Sequence, residues 1–230
     1  MLRPEYRDKP IRSFVIRQGR MTKSQKLALT DYWGKYGLSL EKGSIDLAEI
    51  FGRSAPTVLE IGYGMGNSLA EMASQAPEQN FIGVEVHSPG VGSLLHIASE
   101  RSLTNLRTYM ADATDVLREC IGETSLQRIQ IYFPDPWPKK KHHKRRLVQP
   151  ELVQLLVSRL VPGGLLHLAT DWQPYAEHMH EVLEPFSELE NQSPSGDFVP
   201  RPDWRPLTKF ETRGTKLGHQ VFDLLYRKSA

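Results

Sequence analysis

The 230-residue chain has a single cysteine, Cys120. It cannot close an internal bridge, and nothing resembles a CxxC pair, so a disulfide framework is excluded and a reducing compartment, the cytoplasm, is expected. No run approaches the roughly 18 apolar residues of a membrane span. The stretch Met1 to Lys9 lacks the apolar core of a signal peptide, so a soluble chain with no membrane partner is expected. There is no internal repeat, no low-complexity tract, no P-loop and no Ser-His-Asp signature. His142 and His143 stand among cations without a carboxylate or third histidine at ligand spacing, so no metal is expected. Met65 and Met72 read as packing residues.

Net charge is also low, at +2, but it is unevenly spread. Residues 1 to 26 hold eight Lys/Arg against two acids, and residues 139 to 146 hold six against none, which leaves the remainder at −10. An acidic body with two basic patches is the pattern of a protein that meets a polyanion locally, although basic runs are more commonly solvated faces. At this length one large α/β domain can bury its own core.

Residues 1 to about 26 are poor in apolar side chains apart from Ile11, Phe14, Val15 and Ile16, and read as an arm that a partner orders. Short helical signals follow at Ser24 to Gly34 and Ser44 to Gly52, the second with Ser44 as a possible cap. Residues 1–45 are therefore expected as arm and lead-in, and 46–230 as the main domain. That domain alternates strand and helix. Strands are predicted over Thr57 to Ile61, Asn80 to Val86, Leu106 to Ala111, Arg128 to Phe133, Leu165 to Thr170 and Gln220 to Tyr226. Helices are predicted over Asn67 to Gln75, Val91 to Ser99, Thr114 to Cys120, Pro150 to Leu160 and Pro174 to Leu183, with Gly163-Gly164 beyond the end of one of them. This alternation argues a doubly wound, mostly parallel sheet.

Glu60-Ile61-Gly62-Tyr63-Gly64-Met65-Gly66 is a strand end entering a glycine loop and then a helix. Asn67 stands where a dinucleotide fingerprint needs its third glycine, and Glu60 just upstream disfavours a diphosphate, so a nicotinamide oxidoreductase is disfavoured. Glu85 ends the second strand, where a carboxylate can accept ribose hydroxyls, and Asp112 follows the third, placed to accept from an adenine amino group. Each acid alone has a structural alternative, Glu60 and Asp112 as turn or helix caps. In order at successive strand ends they point to S-adenosylmethionine.

The densest segment is Ile129 to Pro138, a β-branched and aromatic strand halted by Pro134-Asp135-Pro136-Trp137-Pro138, followed by Lys139, Lys140, Lys141, His142, His143, Lys144, Arg145 and Arg146. An acid at a strand's carboxyl end, an aromatic plate and a cationic block suggest an enzyme that acts on a base in nucleic acid. Asp135 can also be a turn-forming Asp between prolines. Trp137 can stack a base or pack in the core.

Several pieces together carry a resemblance: the glycine loop, Gly83-Val84-Glu85, Asp112-Ala113, Phe133-Pro134-Asp135-Pro136-Trp137-Pro138-Lys139, Ala169-Thr170-Asp171, Thr208-Lys209-Phe210-Glu211, and Arg17 to Thr22 in the arm. The chain resembles the bacterial tRNA (guanine-N7)-methyltransferase family of class I S-adenosylmethionine-dependent methyltransferases. The Pro-Asp-Pro-Trp-Pro-Lys element is the specific part; Tyr63 is a departure within the loop. The resemblance implies a seven-stranded Rossmann-like sheet, S-adenosylmethionine as cofactor, tRNA as partner, and methylation of the variable-loop guanosine at conventional position 46, with monomer and homodimer both open. It implies Asp135 as the catalytic residue, and Glu60, Gly62, Gly64, Glu85, Asp112 and Asp135 as cofactor-binding. Lys139, Asp171, Thr208, Lys209, Phe210 and Glu211 are implied as substrate-binding, while Lys140, Lys141, His142, His143, Lys144, Arg145 and Arg146 are read as the RNA grip.

Two other readings remain. An amino-group methyltransferase is disfavoured because one proline, not two, follows the acid. An RNA-binding protein on a relict methyltransferase fold is disfavoured by the intact set Glu60, Glu85 and Asp112.

Overall fold

A computed structural model describes residues 13–14, 20–208, 211 and 220–230. Helix α1 (Lys23–Tyr36) opens on a reciprocal cap, in which Thr22 Oγ1 accepts from Gln25 N and Gln25 Oε1 accepts from Thr22 N. This Thr-x-x-Gln capping box satisfies two backbone donors and starts α1 one residue before the expected Ser24. Strand β1 (Gly37–Leu38) and the short helix α2 (Leu47–Phe51) follow. The cap of α2 is Asp46, not Ser44, because Asp46 Oδ1 accepts from both Ala48 N and Glu49 N.

The remaining elements are β2 (Thr57–Ile61), α3 (Asn67–Gln75), β3 (Asn80–Glu85), α4 (Ser88–Glu100), β4 (Leu106–Met110), α5 (Ala113–Glu119) and β5 (Leu126–Tyr132). They continue with α6 (Pro150–Arg159), β6 (Leu160–Thr170), α7 (Gln173–Leu183), β7 (Leu189–Asn191) and β8 (Phe222–Lys228). One sheet takes the order β1-β4-β3-β2-β5-β6-β8-β7, with only the β8 pairings antiparallel. The expected seven strands become eight because the two-residue β1 pairs with Thr108 and Tyr109 at one edge. Gly163 and Gly164 lie inside β6, where a bulge carries the pairing from Leu126↔Leu160 to Arg128↔Leu165.

The strand order reverses between β2 and β5, so β2–β3–β4 grow one way and β5–β6 the other. Right-handed crossovers then place α3 and α4 on one face and α5 and α6 on the opposite face. The first face buries Val58, Tyr63, Phe81, Leu69, Leu94 and Leu95, with α1 packed on α4 through Ala28 and Tyr36. The second buries Leu59, Ile61, Ile82, Val84, Ile129 and Ile131 against Val116, Val153, Tyr175 and Met179. A strand buried on both faces reads as continuous apolar residues, and β2 does so except at Thr57 and Glu60.

Strand β5 departs further from that rule. Ile129 and Ile131 face α5, α6 and α7, while Arg128, Gln130 and Tyr132 face the other way, beside His167 of β6 and Asp223 of β8. The helices touching β6 and β8, α6 and α7, pack on the opposite face. This polar row is instead covered by the segment around Trp204 and Arg205, the largest fully buried side chain in the structure.

Candidate active site

Where neighbouring parallel strands send their crossovers to opposite faces, their carboxyl ends part and leave a crevice. Here that crevice lies beyond β2 and β5. A cavity of about 240 Å³ is lined there by Ile61 and Gly62 after β2, Glu85, Val86 and His87 after β3, Asp112 after β4, and Tyr132 to Asp135 after β5. Ser13 and Phe14 of the arm also line it.

The glycine loop is shaped by its backbone. Gly62, Gly64 and Gly66 all have positive φ, at 74°, 59° and 77°, and open space stands where a Cβ at Gly62 or Gly64 would project. Tyr63, the departure from the expected loop, is buried instead of lining the crevice. Its hydroxyl lies 2.7 Å from Thr108 Oγ1, so the ring pins the loop to the sheet. The first turn of α4 abuts the loop so closely that a Cβ on Gly90 would lie 2.2 Å from Gly64 O.

Glu85 is the clasp of this crevice. Its Oε1 accepts from Val86 N at 2.7 Å and His87 N at 3.0 Å, and its Oε2 accepts from Gly64 N at 3.0 Å. A carboxylate offers four acceptor positions, so one remains for a ribose hydroxyl. Asp112 caps α5 through Thr114 N at 2.9 Å, which uses one of its oxygens, and still borders the crevice. Glu60 sits elsewhere. It is 3% exposed and lies behind the crevice, with Oε2 accepting from Gln130 Nε2 at 2.8 Å. Burial pushes its carboxyl up to about 7, against the opposing pull of the Gln130 bond and of Arg128. Glu60 is thus buried and is not among the residues that line the cavity.

Asp135 is exposed at the mouth and has no hydrogen-bonding or ionic partner among the described residues. Its loop is strained on both sides, since Phe133 and Trp137 adopt φ of 52° and 44°, values that L side chains rarely take. Three bonds hold that strain. Phe133 N donates to Ala169 O at 2.7 Å, Arg146 Nε donates to Pro136 O at 3.0 Å, and Trp137 Nε1 donates to Ser13 O at 3.1 Å.

The basic block is a 3-10 turn, Lys140–Arg145, and its members divide into two groups. Lys139, Lys140, Lys141 and Lys144 are exposed. Arg145 lies over the Trp137 ring at 4.7 Å, with the His142 ring edge-on to it at 5.7 Å, so Trp137 is neither core nor an open plate. Burial and the surrounding cations, Lys141 first among them, hold His142 below the usual imidazole range. Arg146, expected on phosphate, is 4% exposed and is spent on Pro136 O, His143 Nε2 and the Tyr175 ring. A second cavity of about 250 Å³ borders the first, sharing Ser13 and Asp112, and is lined by Arg118, Lys144 and Arg145. Arg118 was not singled out from the sequence.

Of the other expected substrate residues, Asp171 is exposed at the end of β6, next to Trp172 with 42% of its surface in solvent. Thr208 and Glu211 form a second reciprocal cap, Glu211 N to Thr208 Oγ1 at 3.1 Å and Thr208 N to Glu211 Oε2 at 3.0 Å. That Thr-x-x-Glu spacing was legible in the sequence as a capping box. Glu211 is buried and faces Arg205 Nη1 at 2.7 Å. Lys209 and Phe210 lie outside the described residues. Among the described residues no three His, Cys, Asp or Glu side chains converge to hold a metal ion, and no helix is long and apolar enough to cross a membrane.

Residues 54–224 match a family model described as "Putative methyltransferase". Over 228 residues the chain is 55% identical to the tRNA (guanine-N(7)-)-methyltransferase of Saccharophagus degradans, covering 99% of this chain and all of the relative. The chain belongs to the tRNA (guanine-N7)-methyltransferase family. The Idiomarina loihiensis member is 57% identical over 217 residues, 94% of this chain and 89% of its own. Among solved structures, the 16S rRNA methyltransferase KamB superposes with a TM-score of 0.58 at 14% identity, over 79% of this chain and 92% of that one. The aminoglycoside resistance methyltransferase NpmB1 gives 0.53, also at 14%, over 83% and 94%. At these identities the two structures share the class I methyltransferase fold with this tRNA (guanine-N7)-methyltransferase family member.

The crevice suits the cofactor of that fold. Acids at three strand ends, open space over Gly62 and Gly64, and one unused acceptor position on Glu85 suit an adenosine that offers a ribose hydroxyl and carries a cationic tail.

Proposed function

We propose that this protein methylates N7 of a guanine in tRNA with S-adenosylmethionine as donor, forming 7-methylguanosine, and that the target is the variable-loop guanosine at conventional position 46. One observation carries the reading: Asp135 stands exposed on a strained loop at the mouth of a crevice bordered by Glu85 and Asp112, beside a ridge of exposed lysines. The cofactor supplies a methyl group on a sulfonium.

Guanine N7 bears a free lone pair in the neutral base, so no residue need remove a proton from it. Asp135 therefore works by placement and charge. Its carboxylate accepts from the ring N1–H and the amino group of the base, and it favours the positive charge that the purine acquires on methylation. The strain at Phe133 and Trp137 keeps that carboxylate fixed before substrate arrives. Glu85 and Asp112 hold the adenosine end, and Gly62 and Gly64 let it approach the backbone.

Lys139, Lys140, Lys141 and Lys144 supply the phosphate grip. Asp171, Thr208, Lys209, Phe210 and Glu211 belong to the tRNA side of the site by family resemblance. Because Arg145 already covers Trp137, the exposed Trp172 beside Asp171 is the better surface for stacking a nucleobase.

Incubation with methyl-labelled S-adenosylmethionine and unmodified bulk tRNA, followed by digestion and mass spectrometry of the nucleosides, tests the reaction. Label in 7-methylguanosine is expected. Label in another nucleoside, or none with cofactor bound, refutes it.

A further inference from the structure

Beneath the site runs a continuous buried polar chain that the reaction described above does not use. It begins at Glu60, whose partner Gln130 Nε2 is also 3.4 Å from Met72 Sδ. Gln130 Oε1 accepts from Arg128 Nε at 3.1 Å and lies 3.1 Å from Tyr132 Oη, whose single proton goes to His167. Tyr132 Oη lies 2.8 Å from His167 Nδ1, and His167 Nε2 lies 2.7 Å from Asp223 Oδ1.

The tautomer of His167 follows from its neighbours. Trp204 Nε1, which can only donate, lies 3.2 Å from His167 Nδ1, so that nitrogen is the acceptor and Nε2 carries the proton given to Asp223. Burial holds His167 below its usual range despite the Asp223 bond, so it is neutral here. Burial also pushes Asp223 up, but the bonds from His167 and Arg205 outweigh it and hold the carboxyl low.

Asp223 is then gripped by the Arg205 fork, Nε to Oδ1 at 2.7 Å and Nη2 to Oδ2 at 2.8 Å. The third nitrogen, Nη1, faces Glu211 Oε1 at 2.7 Å. The guanidinium also lies 5.8 Å from the Tyr132 ring centre and 5.7 Å from that of Phe133. Arg205 is 1% exposed. It is therefore the point at which three parts of the chain meet: β8 through Asp223, the Thr208–Glu211 cap, and the strained residue two positions before Asp135.

An isolated buried carboxylate is costly, and Glu211 has an ionic partner only in Arg205 among the described residues. A planar fork with three donors in fixed relation can join two acids on different segments while its face rests on a ring, and lysine, a single-point donor, cannot do this.

We propose that Arg205 is a positioning residue for the tRNA side of the active site, setting the bonded pair Thr208 and Glu211 and the Phe133–Asp135 loop in one fixed relation. The assignment rests on the methylation reading given above. Arg205 touches neither reacting partner. Its removal lets the two segments move independently, so the base presented by tRNA and the carboxylate of Asp135 lose their common frame while the crevice of Gly62, Glu85 and Asp112 stays intact.

The test is Arg205→Lys in the full-length protein, with active sites counted by the stoichiometry of S-adenosylmethionine binding and assays run well below the unfolding midpoint. The expected result is a fall of at least about tenfold in kcat/KM for tRNA per active site, with cofactor affinity changed less than about threefold. In a cycle with Glu211→Gln the losses should be non-additive, because one contact is removed twice. A per-site rate equal to wild type with only a lowered unfolding midpoint would overturn the proposal, as would an equal loss of cofactor affinity.

Wild-type enzyme assayed alongside separates the two ideas. No 7-methylguanosine from wild type refutes the reaction, whereas an active wild type with an unimpaired variant refutes only the role of Arg205. Should Arg205→Lys fail to fold, native-state hydrogen exchange of the unaltered protein reads the same link. The amides of Thr208, Glu211 and Phe133 should open in one sub-global step, and opening of the first two apart from the third overturns it.

Discussion

Arg146 is bound back to the loop from which the basic block springs: its Nε donates to the carbonyl of Pro136, one residue after Asp135, at 3.0 Å. Its guanidinium also rests 4.9 Å from the Tyr175 ring centre, on the helix beneath. The last cation of the block is thus a brace for the Asp135 loop. Arg146→Ala should lower kcat more than it raises the Kd for tRNA, and should destabilise the fold by about 1–3 kcal/mol through the unpaired carbonyl and lost packing. Steady-state kinetics set beside urea unfolding would show this; a variant with normal kcat and weakened tRNA binding would return Arg146 to phosphate contact.

The exposed members of the block should behave in the opposite way. Replacing Lys140, Lys141 and Lys144 together with Ala should leave stability and cofactor affinity unchanged and weaken tRNA binding. The slope of log K against log salt should flatten by about 2–3, close to one unit per lost phosphate contact. Filter binding across a salt series measures it, and an unchanged slope would mean that the lysines are merely solvated.

Among the described residues Asp135 has no hydrogen-bonding or ionic partner to lose, so Asp135→Ala should be structurally silent. Single-turnover methyl transfer should fall by about 10²-fold or more, in the range seen when a preorganised electrostatic group is removed. The unfolding midpoint should hold within a degree or so. Near-normal transfer would remove Asp135 from its role.

Glu60 predicts a pH dependence of stability. Its folded carboxyl is pushed up to about 7 from 4.5 by burial, so the folded state binds the extra proton in that interval. The associated stability is complete below about 4.5 and is lost as pH rises through about 7, an order-of-magnitude change of about 3 kcal/mol. Glu60→Gln keeps the acceptor for Gln130 and removes the titration. The variant should therefore gain on wild type between pH 5 and pH 8 in denaturant unfolding. Parallel stability curves for the two proteins across that range would show that Glu60 stays ionised in the fold.

Trp172→Ala should raise the Kd for tRNA by about 5- to 150-fold, as loss of one stacked base costs about 1–3 kcal/mol, without altering cofactor binding. Equal tRNA affinities would leave Trp172 as a bystander on the rim.

Much of this architecture was legible in the chain itself. Period and punctuation located β2 and α3 to the residue, because a β-branched run ending at Gly62 and a helix opening after Gly66 are local events. The acids Glu85, Asp112 and Asp135 were placed at one crevice by the same logic, since a parallel sheet sends every strand's carboxyl end to the same side. The specific spacing of Pro134 to Lys139 carried the family.

What local pattern left open depended on partners distant in sequence. Glu60 lies beneath the crevice because Gln130 of the neighbouring strand takes its carboxylate, and strand adjacency across the β2–β5 reversal is not written in either segment. The division of the basic block into exposed lysines and a buried Arg146 follows from where Tyr175 sits on α7. Arg205 acquires its place only when β8 inserts antiparallel beside β6 and sets Asp223 opposite Ala169, on the same face as His167. Sequence period determined the elements, their order and the side on which chemistry gathers, because each rests on contacts within a few residues. Tertiary structure alone decided which charged groups meet water and which meet one another, because a buried charge is tolerated only where a distant partner has been brought to it.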